Sequence, residues 1–395
     1  MITKEINQLK KDIKKVIKTI NKHLVNEGID QNYILDIAEY IKTLLANIYG
    51  DKLLYPEILN QFIYEKIKFT PIDNEFSFNF SIELNKKILK QLKEINKHSP
   101  EQKSDEWYAY RYERITASDI ASVFNKSPFN SRNKLLQDKC KDFKDTTFSS
   151  NKYMDHGNKY EDCAAHYYEY LSNSKDYEFG CLPHHNISFL GASPDGITEN
   201  GIMLEIKCPL SRPIKGIPPI YYWYQIQIQL EVADLPRCDY IECKFIEKEK
   251  DDFFELIKTH NITECKEIGF IIQIIDKTKN KYIYKYNTFG SKVSDFKEWE
   301  NNTINEILKS NQFEYVKTIY WVLEEYGLCK IYRDKRWYRE NINSLSNFWD
   351  EVLEGRKKIR ENKDFQIPTD NSKINYPKKQ QKYLMYDSDD SQTVN

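Results

Sequence analysis

The stretch Gly191–Pro209, GASPDGITENGIMLEIKCP, decides how the chain is read. Two short apolar segments flank Glu199, Asn200 and Gly201, and the second carries Glu205 and Lys207 between Leu204, Ile206 and Cys208. Residues two apart on a strand share a face, so Glu205 and Lys207 point one way and their apolar neighbours the other. If Glu199, Asn200 and Gly201 form a three-residue hairpin loop with Gly201 in the left-handed position, Thr198 faces Ile202 and Asp195 lies opposite Glu205. A two-residue loop would pair Asp195 with Ile206 and throw the two acids to opposite faces. Carboxylates that converge repel each other unless a cation sits between them, and oxygen ligands favour hard cations such as Mg²⁺ or Mn²⁺. A lysine beside such a site can orient or help deprotonate an attacking water and offset charge on a phosphorane-like transition state.

Alone, this pattern is loose. A chain with 59 Lys and Arg and 60 Asp and Glu produces it by chance, and an exposed salt-bridged strand reads the same way. The surroundings make it more specific. Downstream, Gln225 and Gln229 share a helix face within YYWYQIQIQL, and upstream Glu161 lies in a helical stretch that can bring a third carboxylate to the sheet edge.

Composition bounds the rest. The 395 residues are enough for two or three domains or one large decorated one, and 40% hydrophobic content supports a packed core. No apolar run reaches membrane-span length, and Met1 opens into a Lys-rich amphipathic pattern rather than a signal peptide, so a soluble intracellular protein is expected, with no membrane partner. A net charge of −1 argues against a generic basic nucleic-acid coat but leaves room for a local basic groove. The eight cysteines, at 140, 163, 181, 208, 238, 243, 265 and 329, include no C-x-x-C pair. Zinc ribbons and cysteine-ligated iron–sulfur clusters are therefore not expected, and free thiols in a reducing compartment are.

Along the chain, apolar residues from Ile2 to Leu24 recur at alternating spacings of 4 and 3, as a surface or self-association helix requires, and a second helical stretch ends at Gly50. Residues 51–100 read as mixed, with NEFSFNFSIEL over 74–84 alternating like a strand. From about 101 the pattern becomes strands framed by helices: Thr116 or Ser118 as a helix cap, a helix after Gly157 through Tyr170, two or three short strands between about 179 and 207, a helix over 219–232 and a strand near 238–246. Residues 247–312 read as an insertion or an extra sheet, with strand-like GFIIQIID and KYIYKY, and 337–361 as an amphipathic helix. The polar tail after Pro368 reads as disordered. His156 and His166 read as structural, and His184 and His185 as surface residues.

Four ordered stretches carry a family resemblance: EWYAYRYERITASD (106–119), HGNKYED (156–162), SPDG with LEIKCP (193–209) and YYWYQIQIQLEVAD (221–234). They resemble the phage lambda exonuclease and YqaJ-type viral recombinase nucleases of the PD-(D/E)XK superfamily, over roughly 101–245. The resemblance implies an α/β (α+β) fold: a restriction-endonuclease-like core with a central mixed sheet flanked by helices. That nuclease domain would span 101–368, after a mainly helical region over 1–100 and before a tail over 369–395.

It implies a divalent-metal-dependent DNA nuclease, most simply a 5′-to-3′ exonuclease on 5′-phosphorylated double-stranded ends, acting in recombination, repair or defence against foreign DNA. The alternatives are an endonuclease of the restriction or junction-resolving kind and an inactive DNA-binding scaffold. By the same resemblance Asp195 bridges two Mg²⁺ or Mn²⁺ ions. Glu205, the backbone carbonyl of Ile206 and Glu161 complete the metal region, and Lys207 acts on the nucleophilic water. Gln225, with Gln227 beside it, matches the glutamine motif, and Arg111, Ser118 and Ser193 match the positions that hold a 5′-phosphate. Bland readings compete: Arg111 stacked on tyrosines or paired with Glu113, Ser118 as a cap only, Gln227 at the core boundary. The implied partners are double-stranded DNA ends, a strand-annealing protein or helicase, and further copies of the chain as a dimer or trimer, in host cytoplasm or a viral factory. The residues beyond the resemblance, 1–100 and most of 247–312, put a DNA-threading ring in doubt.

Overall fold

The computed structural model describes residues 82–145 and 151–361. The helices expected over 1–24 and up to Gly50, and the tail after Pro368, lie outside the described residues. Of the strand expected over 74–84, only Ile82, Glu83 and Leu84 are described, and they open a helix, α1 (Ile82–Asn96), instead.

A seven-stranded mixed sheet organises the fold. Its strands are β2 (Asp176–Tyr177), β5 (Gly196–Thr198), β6 (Met203–Lys207), β7 (Arg237–Lys248), β10 (Phe313–Tyr332), β8 (Ile268–Asp276) and β9 (Lys281–Tyr286), in that spatial order. A smaller sheet runs β1 (Ile115–Thr116), β4 (Leu190–Ala192), β3 (Leu182–Pro183). Only β6 and β7 pair in parallel within the large sheet. A parallel pair needs a crossover, and the helix over Ile220–Ala233, α6, supplies it. The other helices are α2 (Asp105–Tyr112), α3 (Ile120–Val123), α4 (Arg132–Cys140), α5 (Lys152–Ser172), α7 (Lys250–His260), α8 (Phe296–Leu308) and α9 (Lys335–Arg360).

Strand β6 is central and buried on both faces. Leu204 and Ile206 pack with Cys208 against Tyr160, Cys163, Ala164, Tyr167 and Tyr168, the 3–4-spaced stripe of α5. On the other face Met203 joins the core built on α6, including Trp223, Ile226 and Leu230. Helix α5 starts before Gly157 rather than after it: Asn151 accepts from the amides of Tyr153 and Met154 at 3.0 Å each and caps it. Asn173, at φ 49°, ends it. All eight cysteines are free thiols, and all but Cys329 are buried.

The segment over 247–312 does not form a separate sheet. Its strands β8 and β9 extend the same sheet, because β10, 20 residues long, pairs with β7 along one edge and with β8 along the other. Helices α7 and α8 cover this extension through Phe253, Ile257 and Phe296, which pack on Phe270 and Tyr320.

His184, expected at the surface, is buried at 7% exposure. Its Nδ1 accepts from the amides of Asn186 and Ile187, both at 3.1 Å. Burial pushes the pKa of His184 down to about 4, helped by His185, and burial does the same for His156, helped by Lys159. The neutral rings favour the fold fully above the ordinary histidine value of 6.5. As pH falls from there toward 4, the unfolded chain takes up protons that the fold refuses, so stability falls, by roughly 3 kcal/mol per ring. Urea midpoints between pH 7.5 and 4.5 are expected to show this loss. His156→Phe is expected to lessen it relative to the variant's own value at pH 7.5.

Candidate active site

The β5–β6 hairpin has the register that a three-residue loop requires. Gly196 pairs with Leu204 and Ile197 with Met203, while Thr198 N donates to Ile202 O at 2.8 Å. Gly201, at φ 68°, occupies the left-handed position, and its amide donates to Thr198 O at 2.8 Å. A Cβ there would lie 2.5 Å from the Asn85 side chain, so the tight packing of α1 adds a second reason for glycine.

This register brings Asp195 beside Glu205 and Lys207. Asp195 Oδ2 accepts from the Ile206 amide at 2.7 Å and lies 4.0 Å from Lys207 Nζ. Lys207 Nζ donates to Glu205 Oε1. Glu205 is 0% exposed, and its remaining contacts come from α6: Gln225 Nε2 donates to Oε1 at 2.6 Å and Gln229 Nε2 to Oε2 at 2.7 Å. Gln229 Nε2 also reaches Ser193 O at 3.3 Å. The Tyr222 ring centroid lies 4.9 Å from Lys207 Nζ.

The charges are strained together. Burial first, and Asp195 second, push the Glu205 carboxyl above the usual carboxylate range. The same two causes push the carboxyl of Glu161, on α5, in the same direction. Burial opposes charge on Lys207, but Glu205 and Asp195 outweigh it and hold the ammonium well above the usual lysine range. Among the described residues, no group of three or more His, Cys, Asp or Glu is placed to hold a metal ion. The donor chemistry still fits a hard cation: the acids are all oxygen donors, they penalise one another's charge, and Mg²⁺ is held by one or two carboxylates plus substrate phosphates rather than by a protein cage. Asp195 and Glu205 are the pair of carboxylates nearest to that requirement.

Arg111, Ser118 and Ser193 meet beside this group, although 82 residues separate Arg111 from Ser193. Arg111 Nη2 donates to Ser118 Oγ at 3.0 Å and to Thr116 Oγ1 at 3.3 Å, while Nη1 lies 3.5 Å from Ser193 Oγ. Trp107 Nε1 donates to the same Ser193 hydroxyl at 3.3 Å, and the guanidinium stacks 4.2 Å from the Trp107 ring centroid. Glu113 pairs with Arg356 and leaves Arg111 to the hydroxyls. Thr116, not Ser118, caps the turn at Ala117–Asp119, through a box with Asp119. Lys139 Nζ ties the end of α2 to this turn, donating to Arg111 O at 3.1 Å and Arg114 O at 2.7 Å and pairing with Asp119 at 3.0 Å. Burial alone would raise the Asp119 carboxyl, but Lys139 and Arg111 outweigh burial and hold it below the ordinary aspartate range.

Gln227 lies apart from the site. Its Nε2 donates to Tyr332 O at 3.0 Å and its Oε1 accepts from the Asp334 amide at 2.6 Å, so it joins α6 to the start of α9. Successive odd positions on a helix are 200° apart, so Gln225 and Gln229, four apart, reach Glu205 while Gln227 cannot. The motif offers Gln227 only as a second partner to Gln225, whereas the helical spacing points to Gln229. Gln229→Ala is therefore expected to cut turnover by about tenfold or more. Gln227→Ala is expected to cost about 2 kcal/mol of stability, by orphaning buried backbone groups, with turnover of the folded protein unchanged. Urea denaturation and DNA hydrolysis on the same preparations check both.

The fold and site define a class: a mixed α/β sheet with an Asp just before one strand and a Glu-x-Lys on the strand paired with it. Residues 106–236 match the model of the YqaJ-like viral recombinase domain. A protein of Acanthamoeba polyphaga mimivirus, described as uncharacterized, is 33% identical over 299 residues, 64% of this chain and 52% of its own. The chain thus spans about half the length of that curated relative. Solved structures similar to it include the alkaline exonuclease LHK-Exo from Laribacter hongkongensis, with 19% identity, 66% of this chain and 97% of that chain covered, and a TM-score of 0.40. A phage related exonuclease from Haemophilus somnus 129PT has 11% identity, with 63% and 96% covered and a TM-score of 0.34. Among the described residues, no helix is long and apolar enough to cross a membrane.

Proposed function

We propose that the chain is a divalent-metal-dependent DNA nuclease that digests double-stranded DNA from a 5′-phosphorylated end in the 5′-to-3′ direction. One observation carries this reading. The carboxylate–lysine set and the Arg111 pocket share a single short segment, because Ser193 contacts Arg111 and Asp195, two residues on, lies 4.0 Å from Lys207 Nζ. A cationic pocket this close to the hydrolytic group favours a terminal phosphate as the feature recognised, and a guanidinium held flat by hydroxyls suits two phosphate oxygens.

When bound, Mg²⁺ or Mn²⁺ would polarise the scissile phosphate and lower the pKa of a coordinated water. Asp195 and Glu205, with Glu161 and the Ile206 carbonyl, would hold the ion or ions. Lys207 keeps its proton beside two carboxylates, so it acts as a cation: it orients the water and offsets charge on the phosphate rather than serving as the resting base. Gln225 and Gln229 fix the Glu205 carboxylate, and the Tyr222 ring limits where the Lys207 ammonium moves. In-line attack by water leaves a 5′-phosphate and a 3′-hydroxyl.

Parallel digestion of linear and covalently closed circular duplex, in Mg²⁺ and in EDTA, tests the reading. Mononucleotides released from the linear form alone, in Mg²⁺ alone, support it. Cleavage of un-nicked circles would favour an endonuclease, and DNA binding without hydrolysis in Mg²⁺ would favour an inactive scaffold.

A further inference from the structure

Among the described residues, the non-glycine positions with left-handed backbone are Lys103, Asn125, Asn173, Asp234, Asn261 and Asn280. Asn and Asp tolerate this conformation because their short side chains bond locally, whereas lysine has no such compensation. Lys103, at φ 67°, is thus the exception, and it is the one of the six that reaches the candidate active site. Its ammonium lies 3.7 Å from Glu161 Oε2.

The surrounding turn forces the backbone into place. Gln102 Nε2 donates to Phe179 O at 2.6 Å on one side, and on the other the Ser104 hydroxyl accepts from Trp107 N at 3.1 Å and caps α2. Strain held by flanking anchors persists where something other than stability selects it. The ion pair gives little stability in return, because Lys103 is 52% and Glu161 32% exposed at their side chains. Glycine would fit the backbone better and lose only the cation.

Lys103 stands in the turn just before the Ser104 cap of α2, and Arg111 lies in the last turn of that helix. One reaches Glu161 and the other Ser193, so the carboxylate–lysine group has a cation at each flank. From this placement we infer that Lys103 is a further substrate-binding residue, whose ammonium leaves Glu161 to take a backbone phosphate of the DNA on the Glu161 side of the site. The inference rests on the nuclease reading. It adds a phosphate contact that none of the four matching stretches contains, since residue 103 precedes all of them.

The test compares the parent with Lys103→Gly, Lys103→Arg and Lys207→Ala. Binding of a fluorescent 5′-phosphorylated duplex is followed by anisotropy in EDTA over a salt series, with thermal melting of each protein. Lys103→Gly is expected to melt at or above the parent temperature and yet bind about tenfold more weakly, with a salt slope smaller by about 0.9. Lys103→Arg is expected to restore both affinity and slope. A Lys103→Gly protein that binds with parental affinity and slope overturns the inference and leaves the nuclease reading standing. A parent that neither binds DNA nor cleaves it in Mg²⁺ overturns both. A melting temperature for Lys103→Gly well below the parent also overturns it, since the lysine would then be a structural ion pair.

Discussion

Asp195→Asn is expected to lower Mg²⁺-dependent hydrolysis about a thousandfold, equivalent to ~4 kcal/mol of transition-state stabilisation, without unfolding the protein. The substitution keeps the shape of the side chain and an acceptor for the Ile206 amide, which Asp195 Oδ2 now takes at 2.7 Å. It removes one of the negative charges that, after burial, push the Glu205 carboxyl up. The melting temperature should therefore hold or rise while the rate collapses. Lys207→Ala is a blunter instrument. It takes the ammonium from Glu205, which is 0% exposed, and a buried carboxylate stripped of its partner costs about 3–5 kcal/mol. Single-turnover hydrolysis and thermal melting on the same preparations separate the two. Loss of rate together with loss of fold in Asp195→Asn would assign the aspartate a structural role only.

Arg111→Ala is expected to have the second largest effect, and a selective one. Digestion of 5′-phosphorylated ends should fall by about a hundredfold, while 5′-hydroxyl ends are digested nearly as the parent digests them. The guanidinium is oriented by Ser118, Thr116 and the Trp107 face, so its loss leaves the pocket without the charge that discriminates the terminal phosphate. Arg111→Lys should recover only part of the preference, because an ammonium cannot make the paired planar contact. Equal losses on both kinds of end would mean that Arg111 supports the fold of α2 rather than reading the end.

Much of the central hairpin is legible in the sequence alone. The three-residue loop, the left-handed glycine and the period of two fixed which residues share a face, and these are local properties of fewer than 20 consecutive residues. Helix α6 was equally legible, with one instructive error. A motif matched by resemblance drew attention to Gln227, although the geometry of a helix separates it from Gln225 and joins Gln225 to Gln229. What the sequence hid was non-local. Strand β10 has exposed charged residues along much of its length, so no burial period marks it, and only its pairing with both β7 and β8 makes 247–312 part of the main sheet. The meeting of Arg111 with Ser193 depends on β1 pairing with β4, a contact across more than 70 residues. Lys103 was invisible for a different reason: a positive φ is written into glycine or asparagine but not into lysine, and here the anchors at Gln102 and Ser104 impose it.

The central claim is that Asp195, Glu205 and Lys207 together hydrolyse DNA with a divalent ion. The most direct measurement is the release of mononucleotides from end-labelled, 5′-phosphorylated linear duplex by purified parent and Asp195→Asn proteins, each in Mg²⁺, in Mn²⁺ and in EDTA. The parent is expected to release them with either metal and not in EDTA, and Asp195→Asn at about a thousandth of the parental rate. No release by a folded, DNA-binding parent, or equal release by both proteins, would contradict it.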